Sequence, residues 1–323
     1  CLGRSDGGLG PDADVSDPSA VDGWVGRERI VEDTVSLQRA RALGATLDLD
    51  TGGLEEGDPL PPGWHWIYFH TAARRSDLAE DGHELRGDFL PPLELPRRMW
   101  AGGRLSFPGA LRIGEPARRE SVVRSVERKE GRSGPLVFVT VEHRISGPRG
   151  LAVREEQSLV YLDRRHRPKS SPRSPPTHPA ELAGKERPDW TGSFAADEVT
   201  LFRFSALTFN SHRIHYDNRY ATEVEGYPGI VVHGPLLALV LLSAGVRWAG
   251  LDRPGPEAKL TFRYRAMQPV FCNEPVEVRG RDLGHRERRT LALCVAHRDR
   301  GIVTDAQMSL RGGGTRDASG ASE

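Results

Sequence analysis

The chain has 323 residues, 37% hydrophobic and 28% charged, with 45 basic and 45 acidic side chains and a formal net charge of zero. That length suits two domains or one large one. The charge balance provides no global field to draw in nucleic acid or an anionic membrane, and no run approaches the roughly 20 apolar residues of a membrane span.

Three cysteines stand apart, at Cys1, Cys272 and Cys294. Their isolation disfavours a disulfide framework or a structural zinc site, and a reducing cytosol fits; they read as small apolar residues. Residues 1–22 are rich in Gly, Asp and Ser, lack an apolar core and read as a loose tail rather than a signal peptide.

In chain order, Asp33-Thr34 caps an expected helix from Val35 to Leu47, with a loose apolar face. Strand-like runs follow at Leu105 to Phe107, Ser121 to Arg128, Leu136 to Ile145 and Glu155 to Leu162, rich in β-branched residues. From Arg164 to Pro188 the composition turns to Pro, Ser and basic residues, which cannot bury enough to offset ordering. The division expected is a first domain at 23–163, a linker at 164–190, a second domain at 191–312 and a tail at 313–323. The second half opens with a candidate strand, Glu198 to Phe204, then a polar loop, Ser211 to Tyr220. His233-Gly234-Pro235 introduces an apolar helix, Leu236 to Trp248, with Pro235 suited to its first turn. Strand-like runs return at Ala258 to Arg265, Pro275 to Arg281, Arg289 to His297 and Ile302 to Leu310. A helix apolar nearly all round belongs inside a sheet rather than on a surface. Each half thus predicts one long helix wrapped by about four antiparallel strands.

The stretch FSALTFNSHRIHYDNRY, Phe204 to Tyr220, gathers Asn210, His212, His215 and Asp217 into eight residues. Eighteen residues beyond His215 stands His233, in VVHGP. These motifs resemble those of the MaoC-like, or type 2, enoyl-thioester hydratases and dehydratases. Within that family, Thr208, Asn210, His212, Ile214 and His215 together with FLPPLELPRRMWAGGRLSF, Phe89 to Phe107, are similar to a two-domain subgroup. That subgroup includes mesaconyl-C4-CoA (3-methylfumaryl-CoA) hydratases and mitochondrial-type hydroxyacyl-thioester dehydratases. The resemblance spans roughly residues 23–312.

The resemblance implies an α+β double hot-dog fold, with two long central helices each wrapped by a curved antiparallel sheet. It implies a hydro-lyase acting on an acyl-CoA or acyl-carrier-protein thioester, either a short dicarboxylyl-CoA or a fatty (R)-3-hydroxyacyl chain. No cofactor beyond the thioester carrier is expected, nor a nucleic-acid or membrane partner. A homodimer is expected, in the cytoplasm or, for a eukaryote, the mitochondrial matrix. A non-catalytic acyl-thioester-binding protein on the same fold is the alternative class, marked by loss of His215 or Gly234, and both are present.

The family's catalytic histidine maps onto His215 and its catalytic aspartate onto Asn210. An amide cannot take a proton at neutral pH, so His215 remains the base and Asn210 an expected water holder. Gly234 maps onto the donor that stabilises the thioester oxyanion, at the free N–H end of the helix. His212 and His233 are expected to brace the loop and the helix start, with substrate binding as the alternative, and Asp217 to cap a helix at Asn218 to Ala221 or to orient a neighbouring side chain. Arg213, Arg263 and Arg265 are candidates for coenzyme A phosphates, and Arg97 and Arg98 for a substrate carboxylate. His65, His70, His83, His143, His166, His178, His285 and His297 lack ligand spacing along the chain, so no metal is expected. The first half lacks an Asx-x4-His motif with a His-Gly pair, so its expected role is to widen and line the pocket.

Overall fold

The computed structural model describes residues 23–131, 134–163, 187–250, 259–284 and 289–311; the expected linker, up to residue 186, and both tails lie outside them. The first half contributes β1 (Glu28–Thr34), α1 (Leu37–Thr46), β2 (Arg97–Phe107), β3 (Pro116–Gly131), β4 (Gly134–Gly147) and β5 (Gly150–Leu162). The second contributes β6 (Trp190–Phe194), α2 (Glu198–Leu207), α3 (Gly234–Trp248), β7 (Lys259–Ala266), β8 (Val276–Asp282), β9 (Arg289–His297) and β10 (Gly301–Arg311).

The strands form one antiparallel sheet in the order β1-β3-β4-β5-β2-β7-β10-β9-β8-β6. Read from its two ends inward, that order is the same for both halves: outer strand, then third, fourth and fifth, with the second strand at the centre. The halves are therefore duplicates in topology, although no sequence repeat is visible. They join where β2 pairs with β7, from Gly102 opposite Arg265 to Phe107 opposite Leu260. The expected strands appear, except Glu198 to Phe204, and most of those in the first half are longer than expected. The architecture is an α+β double hot-dog.

Two expectations on helices change. Glu198 to Phe204 is not a strand but the start of α2, capped by the Asp197 side chain, which accepts from the Thr200 N–H at 2.8 Å. The Asp-x-x-Thr cap decides the local structure, and Leu201 and Phe204 supply the buried face. The cap of α1 is Ser36, not Asp33-Thr34. Asp33 lies one residue before the end of β1 and accepts instead from Phe69 N–H and Arg39.

Strand order also makes α2 the counterpart of α1, since each follows its half's outer strand, and the two helices pack on each other. The long helix α3 has no equal in the first half among the described residues. Between α1 and β2 run Gly- and Pro-rich residues, TGGLEEGDPLPPG from Thr51 to Gly63, which cost too much in a helix interior. Short 3-10 turns, Trp64–Ile67 and Arg75–Asp77, stand there instead.

Helix α3 is buried through Leu236, Leu237, Ala238, Leu239, Leu241, Leu242, Gly245 and Val246. It packs against β2, β7, β9 and β10, so both halves close over it. Burying a Leu side chain is worth about 1.5–3 kcal/mol, so the five Leu residues of this helix make it the main anchor of the core. No helix is long and apolar enough to cross a membrane.

Candidate active site

The N-terminus of α3 opens into a cavity of about 1050 Å³ lined by residues of both halves. Pro235 occupies the first turn and His233 the cap. The Gly234 N–H has no partner among the described residues, as expected at a helix start. A Cβ placed on Gly234 would meet nothing nearer than the Trp100 carbonyl oxygen at 3.9 Å. The protein's own packing thus does not demand glycine here; the space before the N–H is open to a ligand.

His215 lines the same cavity and is 8% exposed. Its Nδ1 lies 2.7 Å from the Val231 carbonyl oxygen. A carbonyl only accepts, so Nδ1 carries the proton and Nε2 is left as the basic nitrogen. Its ring stacks on His233, centroids 3.7 Å apart and planes 18° from parallel. His233 is itself adjacent to Ser205 Oγ at 2.8 Å and edges on Phe204. The imidazole is therefore fixed beside the helix terminus that carries Gly234. Burial lowers the His215 pKa to about 4, with the Val231 bond opposing and His83 adding to the fall, so the neutral base form persists through neutral pH.

Asn210 also lines the cavity. Its Oδ1 accepts from the His212 backbone N–H at 3.0 Å, an Asx-turn that leaves the side-chain NH2 for a ligand. The preceding Phe209 is held at a φ of +49°, a strained conformation for a non-glycine residue. Asp217 accepts from Tyr220 N–H at 3.0 Å, capping the helical turn as expected, and also pairs with Arg213 at 2.7 Å.

The arginine expectations divide sharply. Arg213 is spent on Asp217 and on the Glu80 carbonyl, and Arg265 on buried Asp305 at 3.0 Å. Arg263 is exposed on β7. None of the three lines the cavity, so none is brought to the active site. Arg97 pairs with Glu225 at 2.7 Å, both nearly inaccessible, and is likewise not in the cavity wall. Arg98, its neighbour, lines the cavity.

Sequence reasoning missed a first-half contribution, the turn Asp81-Gly82-His83. Asp81 accepts from the His83 N–H and from His83 Nδ1, both at 2.9 Å. Burial pushes the Asp81 carboxyl up, but the His83 hydrogen bond and charge, its N–H and Arg98 together hold it at about 2. His83 falls to about 4 through burial first and Arg98 next, against the pull of Asp81. Its ring stands 4.0 Å from that of His212, which stands 5.3 Å from His215. His212 is pushed far below its usual range by burial first, then by the imidazoles of His83 and His215 and the charge of Arg98.

This turn is stitched to the second half. Arg213 N–H donates to the Asp81 carbonyl at 2.9 Å, and Ser211 Oγ donates to the Gly82 carbonyl. Gly82 has a φ of +87°, and a Cβ on it would lie 1.9 Å from the Ser211 oxygen. Only glycine lets the two loops approach this closely. The Asp-Gly-His tripeptide, an Asx-turn signal, was the one legible clue.

Ligand atoms of Asp81, His83 and His212 fall within 4.8 Å of one another, a grouping hidden in chain order. The expectation that no histidines share ligand spacing therefore needs amending. The existing Asp81–His83 hydrogen bond and the positive charge of Arg98 count against a cation there.

A family model for hydroxyacyl-thioester dehydratase type 2 matches residues 63–272. The mesaconyl-C(4)-CoA hydratase of Chloroflexus aurantiacus is 45% identical over 263 residues, 81% of this chain and 89% of that protein. The mitochondrial hydroxyacyl-thioester dehydratase type 2 of Schizosaccharomyces pombe is 28% identical over 68% of this chain and 77% of its own length. A Mycobacterium tuberculosis structure described as a double hotdog fold aligns with a TM-score of 0.53 at 14% identity, over 89% of this chain and 96% of that one, and bears on the fold alone. With the imidazole, the open glycine N–H and the shared cavity in place, these matches assign the chain to the type 2 hydroxyacyl-thioester dehydratase family.

Proposed function

We propose that the chain is a hydro-lyase that adds water to, or removes it from, the α,β double bond of an acyl thioester. The observation that carries this is His215, its Nε2 left basic and its ring stacked beside the helix start where Gly234 offers an unpartnered N–H, both on one cavity. In the hydration direction, His215 Nε2 takes a proton from a water oriented with the Asn210 amide. The water oxygen bonds to C3 and the π electrons move onto the thioester oxygen. That oxygen accepts from Gly234 N–H at the positive end of the helix dipole. His215 then returns its proton to C2, so both protons of the water end in the product. Dehydration runs the same steps backwards.

The substrate proposed first is a short branched dicarboxylyl-CoA such as mesaconyl-C4-CoA, the substrate in the name of the 45% identical relative. Charged groups in one part of a mainly apolar cavity wall favour it over a fatty chain. Glu155, 1% exposed, lies 3.0 Å from His65 Nε2 and accepts from Trp66 Nε1 at 2.9 Å and from Gln157; Arg119 and His143 line the cavity with it. Seating a long alkyl tail against a buried carboxylate and guanidinium would desolvate both without replacement. The second reading, a fatty (R)-3-hydroxyacyl-thioester dehydratase, rests on the S. pombe relative's name.

The test is to incubate the full chain with crotonyl-CoA and mesaconyl-C4-CoA, following loss of the conjugated thioester absorbance and release of free thiol. Loss of absorbance without thiol release is expected; thiol release without hydration would point to a hydrolase and overturn the reading. Coenzyme A rather than carrier protein as handle, no further cofactor, a homodimer, and a cytoplasmic or mitochondrial-matrix setting belong to the same proposal. Family likeness supports them, and light scattering on the purified chain tests the dimer.

A further inference from the structure

We infer that Arg98 is a carboxylate-binding subsite built by the first half beside the catalytic imidazole, taking an acid group borne on the same carbon that receives the water. The inference rests on the hydro-lyase reading above and deepens it by naming what distinguishes the substrate.

Position is the first argument. Arg98 and Trp100 are two residues apart on β2, so they share a face. Trp100 lies over the start of α3, its carbonyl 3.9 Å from where a Gly234 Cβ would stand, and both residues line the cavity with His215. Arg97, on the opposite face, is turned to Glu225.

Charge is the second. Among the described residues Arg98 makes no ion pair and no side-chain hydrogen bond. The carboxylate nearest to hand, Asp81, is committed to His83 through two hydrogen bonds. The groups between Arg98 and His215 are the imidazoles of His83 and His212, both neutral at neutral pH. A half-buried guanidinium facing a cavity, with no carboxylate in ion-pair contact among the described residues, is a site for an anion. The other half-buried guanidiniums of the wall are engaged: Arg119 donates to the Phe69 carbonyl at 2.9 Å and feels the charge of Glu155, and Arg29 pairs with Glu84 and Asp88.

Substrate chemistry is the third. In a 3-methylfumaryl thioester, C3 carries the carboxylate and also receives the hydroxyl. The acid group must then lie one bond from the reacting carbon, hence next to His215. A simple enoyl chain places only hydrocarbon there and would leave Arg98 desolvated without a partner.

The experiment compares kcat/KM for mesaconyl-C4-CoA with that for its methyl ester and for crotonyl-CoA, in the wild-type chain, Arg98→Gln and Arg98→Lys. In the wild type the free acid should be preferred over the ester. In Arg98→Gln the ratio of acid to crotonyl-CoA should fall ~10²-fold, the order for removing one partner of a buried charge pair, with Arg98→Lys between. A wild-type enzyme that hydrates acid and ester equally, or an Arg98→Gln ratio within about threefold of wild type, overturns the inference. Because the ester comparison uses the wild type, it decides even if a variant does not fold. Hydration of crotonyl-CoA without hydration of the acid sinks the subsite and leaves the hydro-lyase reading standing. Hydration of none of the three sinks that reading, and the subsite with it.

Discussion

The two halves share one strand order and divide the labour. The second half keeps the long helix α3, whose free N-terminus and neighbouring imidazole are the proposed chemical centre. The first half has the same five-strand arrangement, yet Gly- and Pro-rich sequence stands where its long helix would be. In that place it carries a loop that brings His83 to the other half's cavity, while β2 and β5 bring Arg98 and the interior carboxylate Glu155. A duplicated fold needs only one oxyanion donor and one base. The second copy is then free to become a wall, and its polarity can decide what fits.

That division can be broken at its centre. His215→Ala should leave the circular dichroism spectrum unchanged and cut hydration by ~10²–10⁴-fold, the usual worth of a positioned general base. A folded variant with near wild-type turnover would place the base elsewhere, His212 being the next imidazole along the wall. The seam between halves is tested by Gly82→Ala, which forces a left-handed alanine into the Ser211 carbonyl. It should lower stability by about 1–3 kcal/mol in a thermal melt and weaken activity together with it, because the loop that moves is the one holding His212. If melting falls but turnover per folded molecule does not, the first-half loop is mere support.

Glu155 sharpens the comparison on the other side. Burial raises its carboxyl, but the hydrogen bond and charge of His65, the charge of His143 and the Gln157 bond outweigh it and hold it at about 2. Its folded value thus lies below the ordinary carboxylate value of about 4.3. The stability it contributes is complete above that ordinary value and is lost as pH falls from there toward 2. Glu155→Gln should cost about 1–3 kcal/mol at neutral pH and flatten that acid dependence in urea titrations. The smallest effect expected is in the pH profile of hydration. With His215 held at about 4, the acid limb should fall near pH 4 and not near 6.5; a limb near 6.5 would mean that His215 stands in water as an ordinary imidazole.

Much was legible in one dimension. The apolar run after His233-Gly234-Pro235, with proline in the first turn, determines a buried helix wherever it is placed, and the β-branched runs determine the strands that cover it. The spacing of Asn210, His215 and Gly234 carried the site's central pair. Local reading went astray at Glu198 to Phe204, where the Asp197 cap starts a helix, and at Val35, where the serine at 36 caps the helix.

Tertiary structure alone decided which charges are spent and which are free. Arg97 and Arg98 are adjacent and chemically identical in the sequence. Strand alternation sends one to Glu225 and the other to the cavity. Asp81 and His83 lie about 130 residues from His212 and read as a surface turn until the glycine between them lets the loops meet. Periodicity and capping act over a few residues, so a sequence displays them directly; ion pairing and cavity lining depend on where distant segments are brought together, and that is set only when the sheet closes over α3.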